Sequence, residues 1–384
     1  MPRLNSSTSS SSRRTLRIRA VLATGAWTLL FLTLADIAVG LAFPWPADPR
    51  QQPGSLQSYF GYGQSIEAKL HYLVRPTDAA SAQIVSSGWI DRECRHVPTA
   101  PPPGKLGVTV YGMSFSEHVR HELGQLDKNL VTTGYAGPGA PLSHSYACFQ
   151  AVSQSGRDPN QVQIIGILAS SVKRMLTIGG VTTTFEAPAP FTYPRYTLER
   201  GRLSMQEPVV RGSADLRNPA RWSAYKAQLA QVDSWYDPVL MQASPLDRSV
   251  FVGLLRRAYA QAEDRRLIER LVYDGHAFTD NPQLGPVMKT LLLDFAARVR
   301  GQGKLPIVIL FQDRGSGADS LYGLLGPTLE KAGVPVVTTH AAFSVSDSRN
   351  FIADGHFTPE VDRAIARIVL AQINAARPSL SAIR

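Results

Sequence analysis

Cysteine is nearly missing from this chain of 384 residues: only Cys94 and Cys148 occur. There is no Cys-x-x-Cys pair and no histidine group at metal-ligand spacing, so a bound metal is not expected. No Lys/Arg run interleaved with aromatics is present, which argues against a nucleic-acid partner. No internal repeat is present, so a solenoid is not expected. Acids are absent from the first 19 positions, where five arginines lie (Arg3, Arg13, Arg14, Arg17, Arg19). Setting aside those five and Asp36 lowers the formal net charge from +10 to +6. That mild excess suits an anionic polymer or a membrane surface and demands neither. With 44% hydrophobic and 18% charged residues, the chain has the makings of a real core.

What is present begins with a long apolar run. Residues 20–43 carry a single charge, Asp36, and as a helix at about 1.5 Å per residue they reach about 36 Å, enough to cross a bilayer. The basic, Ser-rich residues 1–19 place the N-terminus in the cytoplasm and everything after residue 43 outside. Asp36 lies close enough to the outer end to reach the interface. Gly40-Leu41-Ala42 has the small-x-small form of a cleavage site, but the length of the run favours an uncleaved anchor. Export predicts that Cys94 and Cys148 pair; the alternative is two unrelated buried thiols.

Beyond the apolar run, residues 44–103 read as an exit linker and edge segment. Pro44 to Pro53 is stiff and proline-rich, Ile66 to Leu73 is amphipathic, Ile84 to Cys94 alternates like an edge strand, and Pro98 to Gly104 is a second linker. From residue 104 strands and helices alternate, which predicts a parallel sheet in a three-layer α/β/α domain. The strands are read at Gly107 to Tyr111, Asn129 to Tyr135, Val162 to Leu168, Leu305 to Phe311 and Val334 to Thr338. Helices are read from Ser116 to Leu126, near Pro286 to Val299 and from Pro359 to Ala375. Between the third and fourth strands lie about 135 residues, far beyond an ordinary crossover. We read 179–285 as a mostly helical insertion that shapes a substrate cleft, β-rich or irregular over 179–215 and helical over 220–275.

Two places carry chemistry. Val108-Thr109-Val110-Tyr111-Gly112 is a β-branched run that stops at a glycine, and Ser114 follows two residues later, at the open end of the sheet. Asp354-Gly355-His356 precedes the last helix and supplies a base and an orienting acid. The same tripeptide occurs at Asp274-Gly275-His276, but no strand precedes it, so the base is placed at His356. His118 and His121 read as a surface pair, Ser116 as a helix cap, and His144 as a residue that could line the cleft.

The order of strand–Gly-x-Ser, a Gly-rich turn after the second strand (Ala136 to Pro141) and a terminal Asp-x-His resembles the SGNH/GDSL hydrolase superfamily over roughly 104–178 and 303–377. The resemblance implies a five-stranded parallel sheet and a membrane-anchored esterase or O-acetyltransferase facing the periplasm or extracellular space. It implies Ser114 as nucleophile, His356 as base and Asp354 as orienting acid, with no cofactor. The oxyanion donors would be the Ser114 amide and Gly139, with Gly137 as the alternative. The chain departs from the family pattern twice. Met113 stands where the family has Asp, and Gly166 to Ser171 lacks the family's Asn, leaving Ser170 or Ser171 as stand-ins. The substrate implied is a carbohydrate or other acyl ester, and a transferase would need an acyl donor supplied by a membrane partner. Two readings stay open at this point: acyl-ester chemistry on a cell-envelope polymer, and an inactive relative that binds polysaccharide or scaffolds a biosynthetic complex.

Overall fold

A computed structural model of the chain describes residues 10–46, 51, 53–74, 94, 96–156, 158–314 and 319–381. The sequence-predicted edge strand at Ile84 to Cys94 falls, apart from Cys94, outside these residues. The helices are α1 (Ser10–Ala42), α2 (Ser55–Gly61), α3 (Ile66–Leu73), α4 (Ser114–Leu126), α5 (Leu142–Gln154), α6 (Pro219–Val232), α7 (Val250–Leu271), α8 (Gly285–Gly301), α9 (Ser320–Lys331) and α10 (Pro359–Ser381), with shorter turns between some of them. The strands are β1 (Leu106–Gly112), β2 (Leu130–Ala136), β3 (Val162–Leu168), β4 (Arg195–Glu199), β5 (Arg202–Gln206), β6 (Leu305–Phe311) and β7 (Val336–Thr338).

Five strands form one parallel sheet in the order β2-β1-β3-β6-β7. Composition explains the order. Val162-Gln163-Ile164-Ile165-Gly166-Ile167-Leu168 and Leu305-Pro306-Ile307-Val308-Ile309-Leu310-Phe311 are almost wholly apolar and buried on both faces, as central strands must be. β2 carries Thr132, Thr133 and Gly134, which are half-buried, and takes one edge; the three-residue β7 takes the other.

Strand alternation divides the core between the two faces. Val108, Val110, Ile164, Ile307, Ile309 and Phe311 pack with α4 and α10. Tyr111, Ile165, Ile167, Val308 and Leu310 pack with α5, α8 and α9. In α10, Val361, Ile365, Val369 and Ile373 recur every fourth residue and are buried, each burial stabilising by about 1.5–3 kcal/mol. Pro359 at the first turn starts this helix.

The strand order reverses between β1 and β3, and in such sheets the crevice at the carboxyl ends beside the reversal is where ligands sit. Ser114 is placed there by the end of β1.

The insertion has a core of its own. Ile178, Val181, Phe191 and Tyr193 pack with Trp222, Tyr225 and Leu229 of α6 and with Ile66 and Leu70 of α3. The helical reading of 220–275 holds in α6 and α7. Over 179–215 the regular structure is the antiparallel hairpin β4–β5. Val181 to Phe185 is bent rather than extended, with the Thr182 hydroxyl donating to Asp233 at 3.0 Å.

Among the described residues one helix is long and apolar enough to cross a membrane, Arg17–Ala42, with mean hydropathy 1.7 over its best window. A signal sequence near the N-terminus has the same character.

Candidate active site

β1 ends at Gly112, Met113 turns away in an extended conformation (φ −128°, ψ −171°), and α4 begins at Ser114. The first residues of a helix have amides without intrahelical acceptors, and the dipole makes that end positive. The Ser114 hydroxyl therefore sits where a developing oxyanion is favoured. Met113 is fully buried and accepts from the Ser116 hydroxyl at 3.5 Å. Ser116 does not cap the helix as the sequence predicts. Its buried side chain fills the slot between Gly112 and Gly166, where a Cβ on either glycine would collide with it.

Far along the chain, Asp354-Gly355-His356 forms a tight turn in which Asp354 Oδ1 accepts from the His356 amide at 3.1 Å, with Gly355 at φ +89°. The glycine is required there, because that conformation strains any residue with a Cβ. The turn aims His356 Nε2 at Ser114 Oγ, 2.7 Å away, and leaves Nδ1 3.0 Å from Asp354 Oδ1. The imidazole is flanked by Phe115, at 4.8 Å between ring centroids. Asp354 is 63% exposed at its side chain, and the His356 amide, then the imidazole, hold its carboxyl below the usual range. Ser114, His356 and Asp354 thus form one connected line, as the sequence predicts.

The second tripeptide has the same local shape but a different place. Asp274 Oδ1 accepts from the His276 amide at 2.9 Å and Gly275 has φ +99°. His276 is exposed, and no contact brings it to Ser114.

The oxyanion candidates separate on their hydrogen bonds. The Gly137 amide donates to Gly112 O at 3.2 Å, continuing the β1–β2 ladder, so it is spent. Gly139 lies at φ +54°, and the Arg174 guanidinium donates to the Gly139 and Pro138 carbonyls, which fixes the turn. The Ser170 amide donates to Asp313 Oδ1 at 3.1 Å, and its side chain also bonds that carboxyl. The Ser171 hydroxyl donates to Leu168 O at 2.8 Å. Neither serine is left free to take the part of the asparagine that the resemblance would place there. Ser114 and Gly139 remain.

His118 is at the surface, 41% exposed at its side chain, and also reaches the candidate site. It lies one turn after Ser114 on α4, its ring centroid 5.1 Å from that of His356, and its Nδ1 is 3.2 Å from Asp362 Oδ2 on α10. Burial, then the neighbouring His356, lowers the His118 imidazole. Asp362 is buried; that burial, then Glu122, pushes its carboxyl up to about 7. The signal available in the sequence was the i, i+4 spacing from Ser114. His121 is exposed, as expected.

His144 does not line the cleft. It is fully buried, its ring packs beneath Gly137, and burial pushes it down to about 4, so it is neutral. Cys94 and Cys148 are bonded, with Cα atoms 4.9 Å apart. His144 lies within 4.8 Å of both sulfurs, but a disulfide leaves no thiolate to bind a metal.

No family model matches the chain, and no curated protein is significantly similar to it.

Proposed function

We propose that the protein is a membrane-anchored acyl-ester hydrolase or O-acyltransferase of SGNH type, acting outside the cytoplasm on small acyl groups of an envelope or exported carbohydrate. The observation that carries the reading is the 2.7 Å contact between Ser114 Oγ and His356 Nε2, with Asp354 3.0 Å from the other ring nitrogen.

In the proposed reaction His356 takes the Ser114 proton as Oγ attacks the ester carbonyl. The tetrahedral oxyanion is held by the Ser114 amide, the α4 dipole and the Gly139 amide. As the intermediate collapses, His356 returns its proton to the departing alkoxide and leaves acyl-Ser114. Water or an acceptor hydroxyl, deprotonated by His356, then releases the acyl group. All of these steps use groups of this chain, and no cofactor enters.

Arg174 donates to the Pro138 and Gly139 carbonyls and so holds the proposed oxyanion turn. The insertion carries a polar cavity of about 270 Å³ lined by Lys173, Thr184, Glu186, Trp235, Gln261 and Asp264, a lining suited to a sugar.

The full chain should release p-nitrophenol from p-nitrophenyl acetate, and Ser114→Ala should abolish the release. Equal rates in the two proteins would remove the reading. A wild type inert to esters but retained on envelope polysaccharide would favour the non-catalytic alternative, which the engagement of Ser170 with Asp313 keeps specific.

A further inference from the structure

The carboxyl of Asp36, the one charge within the apolar run, accepts from the Phe251 amide at the start of α7, at 2.8 Å. Among the described side chains along α1, Asp36, Val39, Gly40 and Phe43, the last just past the helix end, are partly covered; neighbouring Leu34, Ile37 and Leu41 are exposed. Spacing of i, i+3, i+4 and i+7 makes those four one face, so the globular domain is fixed against α1 rather than trailing from a linker. Trp45, Gln57, Phe60, Arg248, Val250 and Gly253 close around the same junction.

Depth follows from helix geometry. Asp36 lies six residues before Ala42, or about 9 Å down the axis. With about 20 residues needed to cross the hydrocarbon, a span starting at Ala20 ends near Val39, less than one helical turn beyond Asp36. The amino end of α7 is therefore at the level of the outer headgroups. Large apolar side chains stand exposed at this end of α7: Leu246 at 58% and Leu255 at 73%. Arg248 is exposed in the same turn as Leu246.

We infer that Leu246 and Leu255, at the amino end of α7, are seated in the outer leaflet of the bilayer that α1 spans, with Asp36 bonding the otherwise unpaired amide of α7 at that depth. The occupant is lipid. Continuity with the span says so, because leucines at headgroup level beside a transmembrane helix meet acyl chains and interfacial groups, while Arg248 meets anionic headgroups. The apolar run also leaves Asp36 no other reason to be tolerated: a charge near the hydrocarbon edge is stabilised by pairing. This inference rests on α1 being an uncleaved anchor.

The test uses the full chain in phosphatidylcholine–phosphatidylglycerol nanodiscs, with an environment-sensitive thiol probe at Leu246→Cys or Leu255→Cys. Leu30→Cys within α1 and Lys128→Cys before β2 serve as references. The native cysteines are bonded and do not react. A doxyl lipid spin-labelled near the headgroup should quench positions 246 and 255, with blue-shifted emission, and leave position 128 unchanged. Quenching at position 30 by a deep spin label reports the anchor. If position 30 is quenched while 246 and 255 behave like 128, the anchor stands and the seating is wrong. If 246 and 255 are blue-shifted but unquenched, protein rather than lipid covers the face, and the inference is overturned. If position 30 is unquenched, anchor and seating fail together.

Discussion

His356 Nε2 lies 2.7 Å from Ser114 Oγ across 242 positions of sequence. Serine hydroxyls gain nucleophilicity only when a base can take their proton, and the two elements that make the contact are both rigidly packed. α4 is held by Phe115, Val119 and Leu123, and α10 by Val361, Ile365, Val369 and Ile373. Removal of the base should therefore be severe. His356→Ala should lower kcat about 10²–10⁴-fold with little change in Tm. Steady-state kinetics and calorimetry on the same preparation check both halves.

Asp354 is a weaker partner than a buried triad acid, because water reaches most of it. Asp354→Asn should cost far less than the roughly 10⁴-fold loss known when a buried triad aspartate is replaced. A loss as large as that of His356→Ala would mean that Asp354 does more than orient the ring.

Arg174 reaches the proposed oxyanion turn from the segment after β3, where it bonds the carbonyls of Pro138 and Gly139. Arg174→Met should loosen the turn and lower kcat about tenfold. KM and Tm should stay near wild type, since the residue is partly exposed. An unchanged kcat would remove Gly139 from the oxyanion hole.

Asp362 gives a pH signature. Burial raises its carboxyl to about 7 in the fold, against about 3.9 in the unfolded chain. The folded state then binds the extra proton between those values. Its contribution to stability is full below the unfolded value and is lost as pH rises toward 7. Asp362→Asn lacks this loss and still offers an oxygen to His118. The stability of Asp362→Asn relative to wild type should therefore climb by roughly 1–3 kcal/mol between pH 5 and pH 8. A flat difference across that range would contradict the assignment.

The disulfide should matter to stability more than to chemistry. Cys94 and Cys148 are 54 residues apart, and cross-linking a loop of that length is worth about 4 kcal/mol by loop entropy. Reductant, or Cys94→Ala with Cys148→Ala, should lower Tm markedly while the ester turnover of the folded fraction stays unchanged.

The limits of sequence reading lie where contacts are long-range. β3 and β6 were legible to the residue, because strands buried on both faces leave unbroken apolar runs with polar ends. The start of α4 was misread by two residues: Ser116 has the chemistry of a cap, but the cap is Met113 and the serine is drawn into the gap between two glycines. Val181 to Phe185 has strand propensity without a strand partner, and its Thr182 bonds the buried Asp233 instead. The two Asp-Gly-His turns are alike locally, and only the elements around them distinguish the base from the exposed copy. Nothing near Asp36 in sequence points to Phe251, which lies 215 positions away.

The most direct test of the central claim is covalent. The intact full chain, treated with a fluorophosphonate and digested for mass spectrometry, should carry one phosphonyl group on the peptide containing Ser114. Ser114→Ala should carry none, and His356→Ala should label far more slowly. Absence of labelling in the wild type, or labelling at another serine with Ser114 unmodified, would contradict the proposed chemistry.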